Sequence, residues 1–158
     1  MKMRIVRWVV VGLTGFLLGF LFAQANFPQP QGQLVKATVI RVIDGDTFEV
    51  RIQGSPVRVR VIGYDSPERD EPFGDTATKF LKALIEGREV LLESDVQPVD
   101  RYGRRLYHVW LPQTLLSELM LLAGLGRQMT IPPNVKHVDF LMKAQQLGRE
   151  IGLGLWGK

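Results

Sequence analysis

Residues 34–61 read LVKATVIRVIDGDTFEVRIQGSPVRVRV, and this stretch decides the fold. Leu34 to Ile43 is rich in β-branched residues, Asp44-Gly45 is a turn signal, and Thr47 to Ile52 alternates apolar and charged side chains. Together they predict a β-hairpin. Gln53 to Pro56 supplies the next turn, after which Val57, Val59 and Val61 alternate with Arg58 and Arg60 in a third strand. Arg88–Glu93 and Arg105–Leu111 have the composition of two further strands. Five short, mainly antiparallel strands are what an OB-type barrel requires. Between the third and fourth, Thr76–Glu86 carries Ala77, Phe80, Leu81, Leu84 and Ile85 at helical spacing, with Gly87 placed to end the helix. Leu115–Leu122 and Val135–Leu147 repeat the pattern, separated by Gly124 and the Ile131-Pro132-Pro133 break. The expectation is an α+β domain, mainly β: a five-stranded OB-fold barrel with three packed α-helices, the apolar stripes forming its core.

Outside this body the chain opens with Lys2, Arg4 and Arg7, followed by the apolar run Trp8–Phe22 and the small residues of Ala23-Gln24-Ala25. That layout fits either a secretory signal peptide or an N-terminal membrane anchor over residues 1–25. The shortness of the run against the roughly 18 to 20 residues of a membrane span favours cleavage after Ala25. Basic residues before the run put the rest of the chain outside the cytoplasm in both cases, secreted or held at the membrane through residues 8–22. Residues 26–33, NFPQPQGQ, read as a Pro/Gln linker, and a single domain is expected over 34–156.

Composition removes several chemistries. There is no cysteine, hence no disulfide, thiolate metal site or cysteine nucleophile. His108 and His137, isolated in the sequence, are too few for a zinc centre. The net charge is +4, but Lys2, Arg4 and Arg7 supply most of it, so overall charge does not argue for a polyanionic partner. Phosphate binding would need a few placed arginines. Carboxylates, arginines and a hard metal ion remain for an enzyme to use.

The acids and arginines that the folding pattern does not require fall in three loops. Asp44 suits the hairpin turn, whereas Asp46 begins the second strand with backbone fixing it on both sides. Asp65, Ser66 and Glu68 follow the third strand around Pro67. Asp100-Arg101-Tyr102-Gly103-Arg104 precedes the fifth. Each cluster alone reads as an ordinary turn or surface loop. Combined, they supply carboxylates and arginines with no histidine base needed, an inventory suited to phosphodiester hydrolysis.

The strings VIDGDT at 42–47, Arg60 with DSPE at 65–68, and DRYGR at 100–104 resemble, in order and spacing, the three signature segments of the staphylococcal nuclease family. Phe73-Gly74, Gly124-Leu125 and Gly154-Leu155-Trp156 are similar to weaker features of the same family, so the resemblance spans Leu34 to Trp156. It implies a calcium-dependent endonuclease acting on DNA and RNA and leaving 3′-phosphates. Asp46 and Asp65 would give carboxylate oxygens, and Ser66 its main-chain carbonyl, to Ca2+. Glu68 would orient or deprotonate the attacking water, and Arg60 and Arg104 would hold the scissile phosphate. Tyr102 and Arg101 would contact the strand, Tyr102 either stacking on a sugar or base or packing on the barrel rim. Ser66 stands where threonine is frequent, the loop after Glu68 is short, and Arg127–Pro133 has no aromatic where the staphylococcal enzyme has tyrosines. Nothing requires more than a monomer. Two other readings stand beside the nuclease: a binding module that has lost catalysis, against which the joint presence of Asp46, Asp65, Glu68, Arg60 and Arg104 argues, and a membrane-associated display scaffold.

Overall fold

The computed structural model describes residues 28–112 and 114–157; the expected signal or anchor lies outside the described residues. Strands β1 (Leu34–Val42), β2 (Thr47–Ile52) and β3 (Ser55–Val61) form the expected antiparallel meander. A short β4 (Gly63–Asp65) follows, then helix α1 (Gly74–Ile85), β5 (Glu89–Glu93), β6 (Arg105–Leu111) and β7 (Thr114–Leu115). Helix α2 (Leu116–Leu122), β8 (Arg127–Met129), helix α3 (Val138–Ile151) and one 3-10 turn (Gly154–Trp156) complete the described residues. The sheet runs β3-β2-β1-β5-β6, and a parallel pairing of residues 59–61 with 105–107 joins β6 back to β3. Five strands thereby close into the barrel, with β7 an extension on β6 and three α-helices among the described residues.

Alternation drives closure. Phe48, Val50, Val59, Val61 and Leu92 point inward and are almost fully buried, and Leu81, Leu116, Met120 and Leu141 from the helices pack onto the same core. The last helix runs three residues later than its apolar pattern begins and continues past Gly148. That glycine lets α3 approach α2, since a Cβ there would lie 2.3 Å from the Leu121 carbonyl oxygen. The β4–β8 ribbon was absent from the sequence reading, because three residues are too short to show a period of two.

One polar cluster is buried inside this frame. The two histidines, isolated in sequence, stack edge to face with ring centroids 4.7 Å apart. His108 Nε2 lies 3.1 Å from Asp95 Oδ2, and His137 Nε2 lies 2.9 Å from Glu93 Oε2. Glu93 also accepts from Trp110 Nε1 and, from the segment before β1, from the Gln31 N–H. Burial alone would raise the Glu93 pKa, but these donors outweigh it and hold the carboxyl at about 2. Its folded pKa is depressed, so its contribution is present above the unfolded value of 4.5 and is lost as pH falls through about 2. We expect urea stability to drop by on the order of 3 kcal/mol over that acid range from this group. Glu93→Gln should remove that part of the acid dependence; an unchanged acid limb would refute the assignment.

Candidate active site

The β1–β2 turn, the segment after β3 and the loop before β6 meet at one mouth of the barrel, around a cavity of about 480 Å³. Asp46, Arg60, Asp65, Ser66, Glu68 and Arg104 all line it, and so do Arg101 and Tyr102. Residues scattered over three loops of the sequence are thus gathered on one surface.

Arg60 is the hub. It is 6% exposed; its Nη1 donates to the carbonyls of Val61 and Tyr64, both at 2.9 Å. Its Nη2 lies 2.7 Å from Asp65 Oδ1 and 3.0 Å from Asp46 Oδ2, so both carboxylates converge on one nitrogen. Asp46 is fixed further by the Ser66 N–H on Oδ2 at 3.0 Å and the Thr47 hydroxyl on Oδ1 at 2.9 Å. Burial pushes its pKa up to about 6, against the pull of Arg60. Asp65, by contrast, is open to solvent at the end of β4, where it stands opposite Arg127. Asp44 behaves as a turn residue, its Oδ1 accepting from the Asp46 N–H.

Arg104 is half-buried. Asp100 grips its Nε at 2.7 Å and its backbone N–H at 3.0 Å. Burial would raise the Asp100 pKa, but the bonds from Arg104 bring it below the usual carboxylate value. Arg104 Nη1 reaches Thr47 Oγ1 at 3.3 Å, and that hydroxyl in turn donates to Asp46. Thr47 thus couples the second arginine to the buried carboxylate, a role that sequence reading missed because a buried strand threonine looks like sheet. Tyr102 is 68% exposed, with the Arg101 guanidinium 4.8 Å from its ring centre and that of Arg104 at 5.5 Å. Its ring is exposed, and its hydroxyl accepts from Arg101 Nη2 at 2.6 Å.

Glu68 projects from an exposed loop whose backbone is held locally: the Glu71 N–H donates to the Glu68 carbonyl, and Glu71 Oε2 accepts from the Glu68 N–H. Two glycines make this possible. A Cβ at Gly74 would lie 1.7 Å from the Glu68 carbonyl oxygen, and one at Gly45 would lie 1.9 Å from Ser66 Oγ. The opposite wall is aliphatic, built by Met129 and Ile131. Asn134 ties that wall to the neighbouring loop through paired bonds with the Gln97 N–H and carbonyl.

Whether such a site suits a metal depends on its donors. Among the described residues no group of three or more Asp, Glu or His side chains is close enough to hold an ion. A cation here would have to combine two carboxylates with main-chain carbonyl oxygen and water, which hard ions accept. The residues fit such an ion: all donors are oxygens, and Asp46 sits in a pocket where burial penalises its charge more than Arg60 alone offsets.

A closed five-stranded barrel with carboxylates and two arginines lining one cavity has the groups that hydrolysis of phosphodiester bonds can use. The staphylococcal nuclease homologue family profile matches residues 58–158. The thermonuclease of Staphylococcus hyicus is 37% identical over 141 residues, covering 85% of this chain and 82% of that protein. The thermonuclease of Staphylococcus intermedius is 37% identical over 124 residues, 75% of this chain and 74% of that protein. Endonuclease YncB of Bacillus subtilis is 33% identical over 136 residues, 81% of this chain and 64% of that protein. The chain belongs to the staphylococcal nuclease family.

Proposed function

We propose that the protein is a calcium-dependent endonuclease that cleaves DNA and RNA, and that residues 34–156 are its catalytic domain. The observation that carries this reading is the convergence of Asp46 and Asp65 on Arg60 Nη2, with Glu68 and Arg104 on the walls of the same cavity. Asp46, Asp65 and the Ser66 carbonyl are the proposed ligands. A cation held there would polarise the phosphoryl group and offset its charge. Arg60 and Arg104 bind the non-bridging phosphate oxygens, and as guanidiniums they stay charged at any working pH. Glu68 takes a proton from water as the water oxygen attacks phosphorus, and the bond to the 5′ oxygen breaks, that oxygen taking a proton from solvent to become a hydroxyl and leaving a 3′-phosphate. Arg101 and Tyr102 contact the flanking strand. Because water is the nucleophile, no 2′-hydroxyl is needed, which supports action on both polymers.

The basic start and apolar run of residues 1–25 support export, with secretion or membrane retention depending on cleavage after Ala25. No helix among the described residues is long and apolar enough to cross a membrane.

The test is incubation of the purified protein with single-stranded DNA and with RNA in calcium, magnesium or chelator. We expect cleavage of both in calcium, 3′-phosphate ends, and loss of activity with chelator. Binding without cleavage under any ion would instead make the barrel a binding module.

A further inference from the structure

We propose that the outer face of β1–β3 is a phosphate track, in which Arg41, Arg51 and Arg58 bind the backbone of a single-stranded substrate as it leaves the cavity. The inference rests on the nuclease reading and concerns how that same site holds a long strand. Strand register places the three side chains. Side chains two apart on a strand share a face, so Arg58 continues the face of Arg60, whose guanidinium lines the cavity. Thr47 pairs with Arg60, and two residues along, Arg41, Glu49 and Arg58 form a row across the three strands. Two residues further, Thr38, Arg51 and Pro56 form the next. Arg41 and Arg58 thus sit side by side with Glu49 between them, and Arg51 lies one row further, about 6.8 Å along the strands.

Charge in this strip is one-sided. Arg41 and Arg58 are 61% and 55% exposed and share one carboxylate, Glu49, at 2.7 and 3.9 Å. Arg51 is exposed and has no carboxylate partner among the described residues. Three guanidiniums therefore face one acid, in a chain whose positive balance otherwise rests largely on Lys2, Arg4 and Arg7. The ordinary explanation, ion pairs that stiffen a solvated sheet, accounts for Arg41 and Arg58 but leaves Arg51 without a role. The strip has the sign that a polyphosphate chain requires, and through Arg58 and Arg60 on β3 it leads to the cavity.

The experiment compares R41Q/R51Q/R58Q with a control triple, K79Q/K82Q/K143Q, that removes the same charge from exposed positions on α1 and α3. Binding of a 12-nucleotide single strand is followed by fluorescence anisotropy in calcium across salt, on a Glu68→Gln background that prevents cleavage. Cleavage of the same strand and of a dinucleotide is measured without that background. Each lost phosphate contact lowers the slope of log K against log salt by about 0.7, so the arginine triple should lose about 2 and the control nothing. KM for the 12-mer should rise about tenfold or more, with dinucleotide turnover unchanged. Equal slopes for the two triples would overturn the track. Wild-type protein that cuts neither substrate would overturn the nuclease reading, while the slopes still decide the track. If the triple folds poorly, Arg51→Gln alone should lower the slope by about 0.7, and no change would count against the proposal.

Discussion

Glu68→Gln is expected to lower kcat by on the order of 10²- to 10⁴-fold, the range that general-base catalysis supplies. The amide keeps the size of the side chain and its place beside the cavity but cannot accept the proton from water. Substrate affinity should change little, because the phosphate is held by Arg60 and Arg104 and the strand by Arg101 and Tyr102. The surrounding loop should keep its shape, since its bonds run through the Glu68 backbone and Glu71. Pre-steady-state kinetics on a defined oligonucleotide would separate the chemical step from binding. A variant within tenfold of wild type would show that the proton goes elsewhere.

Arg60→Gln carries the second large effect, and it acts on two quantities together. Loss of a charged donor to the phosphate should cost roughly 10²- to 10³-fold in kcat. The same change strips Asp46 of its only ion pair among the described residues and leaves the Val61 and Tyr64 carbonyls without their shared donor. Breaking a buried pair from one side destabilises by about 3 kcal/mol. Arg104→Gln is the contrast, for Arg104 is more exposed than Arg60 and its partner Asp100 keeps the Tyr102 and Arg104 N–H donors when the guanidinium is lost. It should lower activity with a small effect on the urea midpoint. Equal stability losses in the two variants would refute the assignment of Arg60 as the hub.

The sequence carried the barrel because its strands are written in alternation: Val57, Val59 and Val61 against Arg58 and Arg60 leave one way for β3 to face. The helices were legible for a similar reason, though the end of α3 was not. The apolar pattern ends at Leu147, and only the close approach of Gly148 to Leu121 shows why the helix passes through a glycine there. The polar residues that meet in the cavity were visible as clusters that folding did not demand. What could not be read were supports that look ordinary locally. Thr47, Asp100 and Gly74 stood inside the motif strings, but nothing local showed the contacts by which they support the site, to Arg104, to the Arg104 side chain and backbone, and to the Glu68 carbonyl. The pairing of His108 with His137 depends on β6 meeting the segment before α3, which no local pattern encodes.

Arg60 lies within, and Arg104 one residue before, the parallel pairing of residues 59–61 with 105–107 that closes the barrel. The site is therefore a product of the seam that closes the sheet and has no existence in an open chain. A polypeptide kept unfolded, as the proposed export requires, carries its arginines and acids as separate beads that grip nothing. Under that proposed export the scissors would be assembled only where the chain folds, away from the cell that makes it.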